Sequence, residues 1–386
     1  NHVLSGFSDT YRFIFRERFL HNKSQSQIAK ELGISQMTVS RSERAIIEAF
    51  KKVKDIDHPI VVHINTLKGK GYKFAEQDKE RWHWSAPFDI ATGELKNTFN
   101  GETYDDLTAT HLLQLMKQDK RVCAITAGTP GIWAWTPERR QEAGKQFVDV
   151  GIAEEHAVTF AAGLASAGLK PYFAVYSSFL QRGFDQVIHD IAIGGFPVRL
   201  LIDRAGIVGE DGETHQGLFD VAFLTSVPGM TVYSPTYYDE LERDIELSAQ
   251  SDRFVAVRYP RGCEKSGAEK EISGDYTVFR GSGDKAIITY GRIFQNALEA
   301  QKKLPDVTLI KLNKIYPVSD SLINEMQKYK ELHFFEEGMK NGGIAELCAA
   351  RLLEDGYGGK YIIHAIDNKF VPTAAVSAAL KNAGLD

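Results

Sequence analysis

Apolar positions near the start of the chain repeat at the spacing of helices. Ile28 and Leu32 fall on one helical face, and Gly33 follows them where a helix end accepts a left-handed residue. Ser35 can then cap a second helix through its side-chain oxygen. The pattern predicts a small all-α segment over residues 1–46.

The predicted second helix points Val39 inward and presents a polar surface outward. Short, polar or basic side chains suit a helix that lies in a DNA major groove. An ordinary helical hairpin is the simpler alternative. The stretch from "YRFIFRERF" through "VSRSERAII" resembles the last DNA-binding region of bacterial sigma factors, the sporulation type especially. The resemblance implies a helix-turn-helix over residues 20–45 that binds DNA weakly. Its candidate DNA-binding residues are Gln36, Thr38, Ser40 and Arg41.

From about residue 48 the pattern changes to short apolar runs that alternate with amphipathic helices. The first run is a predicted strand over residues 60–64, and a linker is expected near residues 90–101. Five further runs follow: "RVCAIT", "FVDVG", "PYFAVY", "VRLLID" and "MTVYS". After residue 262 come "KAIITYG", "VTLIKL", "ELHFFEEG" and "IIHAI". This alternation predicts two α/β units, each a parallel sheet with helices on both faces.

Length and composition narrow the class of protein. A chain of 386 residues is expected to hold two or three domains, and 43% hydrophobic with 25% charged residues is typical of globular proteins. The formal net charge of -5 gives no overall bias toward nucleic acid or membrane. Three scattered cysteines and the lack of a signal pattern or a membrane-spanning apolar run predict a cytoplasmic protein without membrane contact.

The segment "FVDVGIAEEHAVTFAAGLAS" raises the first question about chemistry. Glu154 falls in the first turn of a helix whose neighbouring positions, among them Ala157 and Val158, are apolar. Desolvation among such neighbours favours a protonated carboxyl, which can donate a proton to a ring nitrogen. The alternative is that Glu154 and Glu155 simply stabilise the positive end of the helix dipole.

Three further segments carry candidate binding groups. In "YSSFLQRGFDQ", Tyr176, Phe179 and Arg182 are three residues apart, so one face could combine an aromatic platform with a cation. The glycine-rich loop "IDRAGIVGEDGETHQG" follows a strand, at the edge where open α/β sheets bind ligands. It and the segment "VRYPRG" supply groups that could grip a phosphate and move protons. These groups are Arg204, Asp211, His215, Arg258 and Arg261.

Taken together and in order, these four motifs resemble the 1-deoxy-D-xylulose-5-phosphate synthases, which are relatives of transketolase. The resemblance covers the chain from about residue 48 to its end. It implies a pyrimidine-binding domain over residues 100–265 and a transketolase C-terminal domain over residues 266–386. Members of the family use thiamine diphosphate to join a two-carbon fragment of pyruvate to glyceraldehyde 3-phosphate. Their product feeds isoprenoid, thiamine and pyridoxal biosynthesis.

The resemblance also assigns roles around the cofactor. In the family, the first glutamate of "AEEH" hydrogen-bonds the aminopyrimidine ring and promotes loss of the thiazolium proton, and Glu154 occupies that position. Phe179 is expected to stack on the pyrimidine, while Tyr176 and Arg182 line the same pocket. Further upstream, Lys68 and Tyr72 are expected to reach the cofactor from a loop that resembles the end of the family's first domain.

On the substrate side, Arg204 and Arg261 match residues that hold the phosphate of glyceraldehyde 3-phosphate. Asp211 and His215 match residues near the reacting carbons, with Tyr176 beside them, and His215 is a plausible proton shuttle. His83, in "RWHW", matches a catalytic histidine that points into the active site.

The departures from the family pattern concern the other end of the cofactor. Such enzymes bind the diphosphate through Mg²⁺ with a glycine-aspartate-glycine motif, and no "GDG" occurs in this sequence. "PGIWAW" at residues 130–135 is bulkier than expected of a cofactor-facing loop. Residues 47–99 are therefore interpreted as the remnant end of a diphosphate-binding domain plus a linker, fused to a sigma-factor end. No metal ligand is assigned in this chain.

Two hypotheses follow from these departures. The first is an enzyme module that forms a homodimer and is inactive alone, because a separate chain supplies the diphosphate-binding domain. The second is a DNA-binding regulator whose α/β part serves as a dimerising or metabolite-sensing body.

Overall fold

The computed structural model describes residues 9–60, 68–83, 85–96, 101–264 and 274–386. The chain divides into two compact units, Asn1–Thr98 and Phe99–Asp386. The helices, in chain order, are α1 Asp9–Phe15, α2 Gln25–Leu32, α3 Gln36–Lys54, α4 Lys73–Gln77, α5 Tyr104–Gln118, α6 Pro137–Ala143, α7 Glu154–Ser166, α8 Ser177–Leu180, α9 Phe184–Gln186, α10 Asp220–Thr225, α11 Tyr238–Gln250, α12 Phe294–Lys303, α13 Asp320–Met326, α14 Ile344–Glu354 and α15 Val376–Ala383.

The strands have comparably short spans. They are β1 Val122–Thr126, β2 Phe147–Asp149, β3 Lys170–Tyr176, β4 Arg199–Asp203, β5 Thr231–Tyr233, β6 Val255–Arg258, β7 Tyr276–Phe279, β8 Lys285–Tyr290, β9 Val307–Leu312, β10 Lys314–Tyr316, β11 Glu331–Met339 and β12 Lys360–Ile366. Two π-helical turns, Arg16–Leu20 and Val187–Ala192, extend α1 and α9.

The first unit contains the predicted helix-turn-helix. Gly33 ends α2 with a φ of 65°, a left-handed conformation that glycine adopts without strain. Two residues later Ser35 caps α3, because its Oγ accepts a hydrogen bond from the Thr38 N–H at 3.1 Å. The helix that begins there continues to Lys54 and so passes the expected domain boundary at residue 46.

A small apolar core holds these helices together. Ile28 of α2 and Val39 of α3 are fully buried against Ile14 of α1, and Leu32 and Ile34 pack onto them. The predicted inward residues are therefore confirmed. Of the expected DNA-binding residues, Gln36, Thr38 and Arg41 are exposed and Ser40 is partly exposed.

The rest of the first unit is described only in part. Most of the predicted strand over residues 60–64 lies outside the described residues. Downstream of it, Tyr72 and Trp82 pack edge to face with ring centroids 5.0 Å apart, and Phe88 lies 4.6 Å from Trp82. These rings form a local aromatic cluster.

The second unit begins with a seven-stranded sheet in the order β10-β5-β6-β4-β3-β1-β2. Every neighbouring pair is parallel except β10 with β5. Strands β1, β3, β4 and β6 are buried along their whole length apart from Lys170, as strands covered on both faces should be. The predicted parallel α/β architecture is confirmed here.

A five-stranded sheet follows in the order β12-β11-β8-β9-β7, parallel except for β7. Strand β10 leaves this domain and pairs with β5 of the first sheet, with Lys314 opposite Tyr233. The sequence pattern did not predict this exchange, because a three-residue strand is too short to show a period. It ties the two α/β domains into one unit.

Candidate functional site

The candidate site lies at the carboxyl ends of the parallel strands of the seven-stranded sheet. Tyr176 ends β3, and Asp203 ends β4 directly beside it in register. Open α/β sheets bind ligands at this edge because the loops there converge. The segments that follow β2, β3, β4 and β6 carry most of the predicted site residues.

Glu154 is the first residue of α7, and its side chain is buried at 3% exposure. The neighbouring Ala157 and Val158 are fully buried, as predicted. Its Oε2 atom lies 3.6 Å from Nη1 of Arg182, which is too long for a hydrogen bond. No other group in the described residues hydrogen-bonds this oxygen. A buried carboxylate oxygen therefore remains available to a ligand.

The turn that carries Arg182 packs tightly against α7. A Cβ atom at Gly183 would lie 2.8 Å from Cγ2 of Val158, so only glycine allows this approach. The Arg182 side chain is 63% exposed and points its guanidinium toward the site. Arg182 therefore lies close to Glu154, and its expected place in the cofactor pocket stays a prediction.

Aromatic side chains from the end of β3, from α8 and from the glycine-rich loop form one wall of the site. The rings of Tyr176 and Phe179 lie 4.8 Å apart, and the His215 ring approaches Phe179 edge-on at 5.3 Å. Tyr176 is buried, whereas Phe179 and His215 are partly exposed. The guanidinium of Arg204 lies 3.9 Å above the Tyr176 ring. The platform predicted from the spacing of Tyr176 and Phe179 is present.

The two predicted phosphate-binding arginines meet at one carboxylate. Arg204 Nε lies 3.3 Å from one oxygen of Asp211, and Arg261 Nη1 lies 2.9 Å from the other. Arg204 also contacts Asp203, and it adopts a positive φ of 58°. Such a conformation is strained for a residue with a side chain, and strained residues cluster at functional sites. Asp211 therefore bridges the pair.

The loop between β4 and α10 is held from both domains. Gly206 and Gly217 exchange two backbone hydrogen bonds of 2.7 and 2.8 Å. Glu337, on β11 of the second sheet, accepts a 2.7 Å hydrogen bond from the Ile207 N–H. Gly206 lacks a Cβ at the point where one would meet the Glu337 carboxyl, 2.5 Å away. Sequence reasoning missed Glu337 because it is about 130 residues from the loop.

Three predicted site residues lie in the first unit and are described within it alone. Lys68 Nζ contacts Nδ1 of His83, and both side chains are exposed. The Tyr72 hydroxyl donates a 3.2 Å hydrogen bond to the carbonyl oxygen of Ile90. Their expected reach to a cofactor stays a prediction.

Two residues at the site were not predicted. Asp105, in the first turn of α5, is buried with an oxygen that has no hydrogen-bond partner among the described residues. Burial raises the pKa of Asp105 to about 7, against the lowering influence of Arg204. Trp133 is buried with its ring 6.1 Å from Tyr176 and 6.2 Å from Tyr259, so the bulk noted in "PGIWAW" fills this wall.

Arg258, by contrast, is a structural residue. Its guanidinium binds both oxygens of Asp220, at 2.8 and 3.1 Å, and both side chains are buried. The pKa of Arg258 is raised by Asp220, although burial acts in the opposite direction. Of the two arginines in the "VRYPRG" segment, Arg261 is the one that contacts Asp211.

Comparisons with known proteins agree with this geometry. Residues 102–264 match the pyrimidine binding domain of transketolase, and residues 274–385 match the transketolase C-terminal domain. The chain contains these two transketolase domains. A third match, to sigma-70 region 4, covers residues 3–54 and agrees with the helix-turn-helix. The predicted relationships are therefore confirmed for the N-terminal helical segment and for the two α/β domains.

The curated relatives are 1-deoxy-D-xylulose-5-phosphate synthases. The protein of that name from Clostridium perfringens is 39% identical over 354 residues, covering 89% of this chain and 57% of that protein. The one from Nitratiruptor is 38% identical over 349 residues, with the same two coverages. This transketolase-type chain is homologous to the C-terminal part of these synthases. It spans little more than half of their length.

A solved structure shares the fold. A protein described as a split gene transketolase, inactive beta4 tetramer, matches 74% of this chain and 94% of its own length, with a TM-score of 0.64 and 21% identity. Within the described part of this chain, every helix is too short or too polar to cross a membrane.

Proposed function

We propose that residues 102–386 form the pyrimidine-binding and C-terminal part of a 1-deoxy-D-xylulose-5-phosphate synthase-type enzyme in the cytoplasm. The proposed reaction is the thiamine diphosphate-dependent condensation of pyruvate with glyceraldehyde 3-phosphate. The observation that carries the proposal is Glu154, whose buried Oε2 has no hydrogen-bond partner in the described residues. Leaving such an oxygen without a hydrogen bond costs free energy unless a ligand donates one.

The pyrimidine half of thiamine diphosphate fits this arrangement. Glu154 can hydrogen-bond the aminopyrimidine, and Phe179 offers a partly exposed ring on which it can stack. The cofactor supplies an electron sink for the carbanion formed from pyruvate. Arg204 and Arg261 would bind the substrate phosphate, and His215 lies beside Phe179, where it can hold or move a proton.

The diphosphate half does not fit the described residues. They contain no group of three or more histidine, cysteine or acidic side chains arranged to hold a metal ion. The sequence also lacks the glycine-aspartate-glycine motif. We therefore propose that a separate diphosphate-binding chain supplies the Mg²⁺ ligands. The structural neighbour is itself described as a split gene transketolase, and this description supports the proposal.

A homodimer is part of the proposal. Two large apolar side chains of the pyrimidine-binding domain, Ile152 and Ile193, are 79% and 72% exposed. In the proposed dimer a second copy of the chain covers these two side chains. Sedimentation at micromolar concentration should show a dimer, and a monomer there would contradict this part.

Binding of thiamine diphosphate tests the assignment of Glu154 directly. One stacking contact and one hydrogen bond contribute about 2–3 kcal/mol, so the isolated chain should bind the cofactor no more tightly than millimolar. Glu154→Ala should weaken binding at least about fivefold, measured by ligand-observed NMR. Glu155→Ala is the matched control, because Glu155 is exposed on the same helical turn. Equal weakening by both variants would contradict the assignment.

Turnover tests the need for a second chain. The purified chain with pyruvate, glyceraldehyde 3-phosphate, Mg²⁺ and excess cofactor should form no measurable product. If product forms, and disappears in Glu154→Ala, the chain is a complete enzyme and the second chain is unnecessary.

DNA binding by the first unit is the alternative function, with the α/β part as a dimerising or metabolite-sensing body. The observation that favours it is the exposed polar surface of α3, where Gln36, Thr38 and Arg41 follow a well-formed turn. A recognition helix contacts bases with the N-terminal residues of such a surface. The match to sigma-70 region 4 supports the same alternative.

Gel shift on mixed promoter DNA separates the two proposals. Arg41→Glu should abolish any shift, whereas Arg12→Glu on α1 changes the charge equally without touching α3. A shift that survives Arg41→Glu would contradict DNA reading by α3. Cofactor binding should be unchanged in both variants if the two functions are independent.

A further inference from the structure

The pocket formed by Arg204 and Arg261 contains more negative charge than its two arginines balance. Asp203 and Asp211 already contact the guanidinium groups. Asp105 is a third carboxyl, 8% exposed, in the first turn of α5. This turn lies beside Arg261, because the Tyr104 N–H donates a 3.0 Å hydrogen bond to the carbonyl oxygen of Gly262. With all three acids ionised the pocket carries two positive and three negative charges, a balance of -1. With Asp105 protonated the balance is zero.

The carboxyl group of Asp105 lacks a hydrogen bond that would stabilise its negative charge at Oδ1, among the described residues. Its Oδ1 is buried without a hydrogen-bond partner among the residues that the structure describes. Asp106, beside it on α5, adds a further negative charge and pairs with Arg139 at 3.2 Å. An unpaired carboxylate in a buried position is expensive, whereas the protonated form costs less.

The other titratable groups near Asp105 do not change charge in the same range. Burial raises the pKa of the hydroxyls of Tyr176 and Tyr259 far above neutrality, so both remain uncharged. Burial also raises the pKa of the Cys263 thiol, so it stays uncharged. The imidazole of His215 lies near the same site, with its ring 6.3 Å from that of Tyr176. Any test must therefore separate Asp105 from His215.

We propose that Asp105 determines whether the Arg204–Arg261 pocket accepts a tetrahedral dianion such as the phosphate group of a substrate. The pocket binds the dianion when Asp105 carries a proton and rejects it when Asp105 is ionised. The reason is electrostatic, because a dianion entering a pocket of net charge -1 meets repulsion in a medium of low dielectric constant. The proposal rests on the proposed function only in taking the arginine pair as the phosphate site.

Sulfate is the probe, because its charge of -2 does not change between pH 6 and 8. A group with a pKa of about 7 is about nine-tenths protonated at pH 6 and about one-tenth at pH 8. If only the protonated form binds, the apparent Kd for sulfate should be about tenfold weaker at pH 8. The measurement is a titration of the full chain with sulfate, followed by NMR or calorimetry.

Asp105→Asn should bind sulfate equally at both pH values, to within about twofold, because its side chain no longer ionises. Asp105→Ser, checked for folding by circular dichroism, is the second neutral variant and should behave in the same way. Asp244→Asn is the matched control. Asp244 is a fully buried aspartate on α11 whose pKa burial also raises to about 7, but it packs beside Arg243 and should keep the tenfold change.

The possible outcomes distinguish a failure of the role of Asp105 from a failure of the proposed function. Equal binding at pH 6 and 8 in the unaltered chain overturns the role of Asp105. A tenfold change that persists in both Asp105 variants also overturns it. Absence of sulfate binding in every variant, including Asp105→Asn, contradicts the arginine pair as a phosphate site and therefore the proposed function itself.

Discussion

The two α/β domains each bury a glutamate carboxyl group at the N-terminus of a helix, but its hydrogen bonding differs between them. In the C-terminal domain Glu336 is fully buried, and its carboxylate accepts hydrogen bonds from the Tyr290 hydroxyl at 2.9 Å and the Ile344 N–H at 3.0 Å. A third bond comes from the Ala345 N–H at 3.2 Å. In the pyrimidine-binding domain Glu154 begins α7, yet its Oε2 has no such partner among the described residues.

The difference distinguishes an acid that builds the fold from one that, under the proposed function, binds a ligand. Glu336 completes the first turn of α14, whose N–H groups would otherwise be unsatisfied. Glu154 adds a desolvation cost without a compensating bond, which a protein tolerates where function requires it. Other buried polar atoms around the site also lack a hydrogen-bond partner in the described part of the chain. They belong to Asp105, Trp133, Ser177 and Tyr259.

The largest expected effect is the loss of Glu336. Glu336→Ala removes the acceptor for one hydroxyl and two backbone N–H groups, all buried. We expect the free energy of unfolding to fall by about 3–5 kcal/mol, measured by urea denaturation at pH 7. Glu354→Ala, at the exposed end of α14, should change the free energy of unfolding by less than about 0.5 kcal/mol. A loss below about 1 kcal/mol in Glu336→Ala would remove the contrast between the two glutamates.

A second prediction concerns pH. Burial raises the pKa of Glu336 to about 7 in the folded state, above the ordinary value of 4.5 that applies when the chain is unfolded. As pH rises from 5 to 7, the unfolded state releases this proton first, so the free energy of unfolding falls. Glu336→Gln should reduce that fall by about 2 kcal/mol. Urea midpoints at pH 5 and 7 measure it, with Glu354→Gln as control, and an unchanged pH dependence would contradict the assignment.

Sequence reasoning located the parts of the site that short-range pattern determines. Glu154 after β2 and the spacing of Tyr176 and Phe179 after β3 could be read from the motifs, because strand and helix periods fix such positions. The pairing of Arg204 with Arg261 came from the family resemblance, and both residues follow parallel strands that end at one edge of the sheet. These predictions needed no knowledge of long-range packing.

The missed features depend on contacts between distant segments. Asp105 reads as an ordinary acid in the first turn of a helix, and only the fold brings Arg204 and Arg261 near it. Glu337 holds the site loop from the other domain, and β10 pairs outside its own sheet. A one-dimensional pattern carries no signal for such partners.

A smaller effect is expected at Glu154 itself. Glu154→Gln keeps the shape of a buried side chain whose Oε2 has no hydrogen-bond partner in the described residues, so the free energy of unfolding should stay the same or rise by about 1 kcal/mol. Glu155→Gln, exposed on the same turn, should leave it unchanged within about 0.5 kcal/mol. Urea denaturation decides, and a loss above about 2 kcal/mol in Glu154→Gln would show that this glutamate also builds the fold.

The smallest effect is expected for Arg182, the cation nearest to Glu154. The two charged groups are 3.6 Å apart and the arginine side chain is 63% exposed, so solvent screens the pair and the guanidinium gives up little hydration. Arg182→Gln should lower the free energy of unfolding by less than about 0.5 kcal/mol. A double-mutant cycle with Glu154→Gln, measured by urea denaturation at low and high salt, should give a coupling energy equally small. A coupling above about 1 kcal/mol would mean that Arg182 already satisfies the glutamate, as Tyr290 does for Glu336. The unpaired carboxylate would then no longer indicate a ligand.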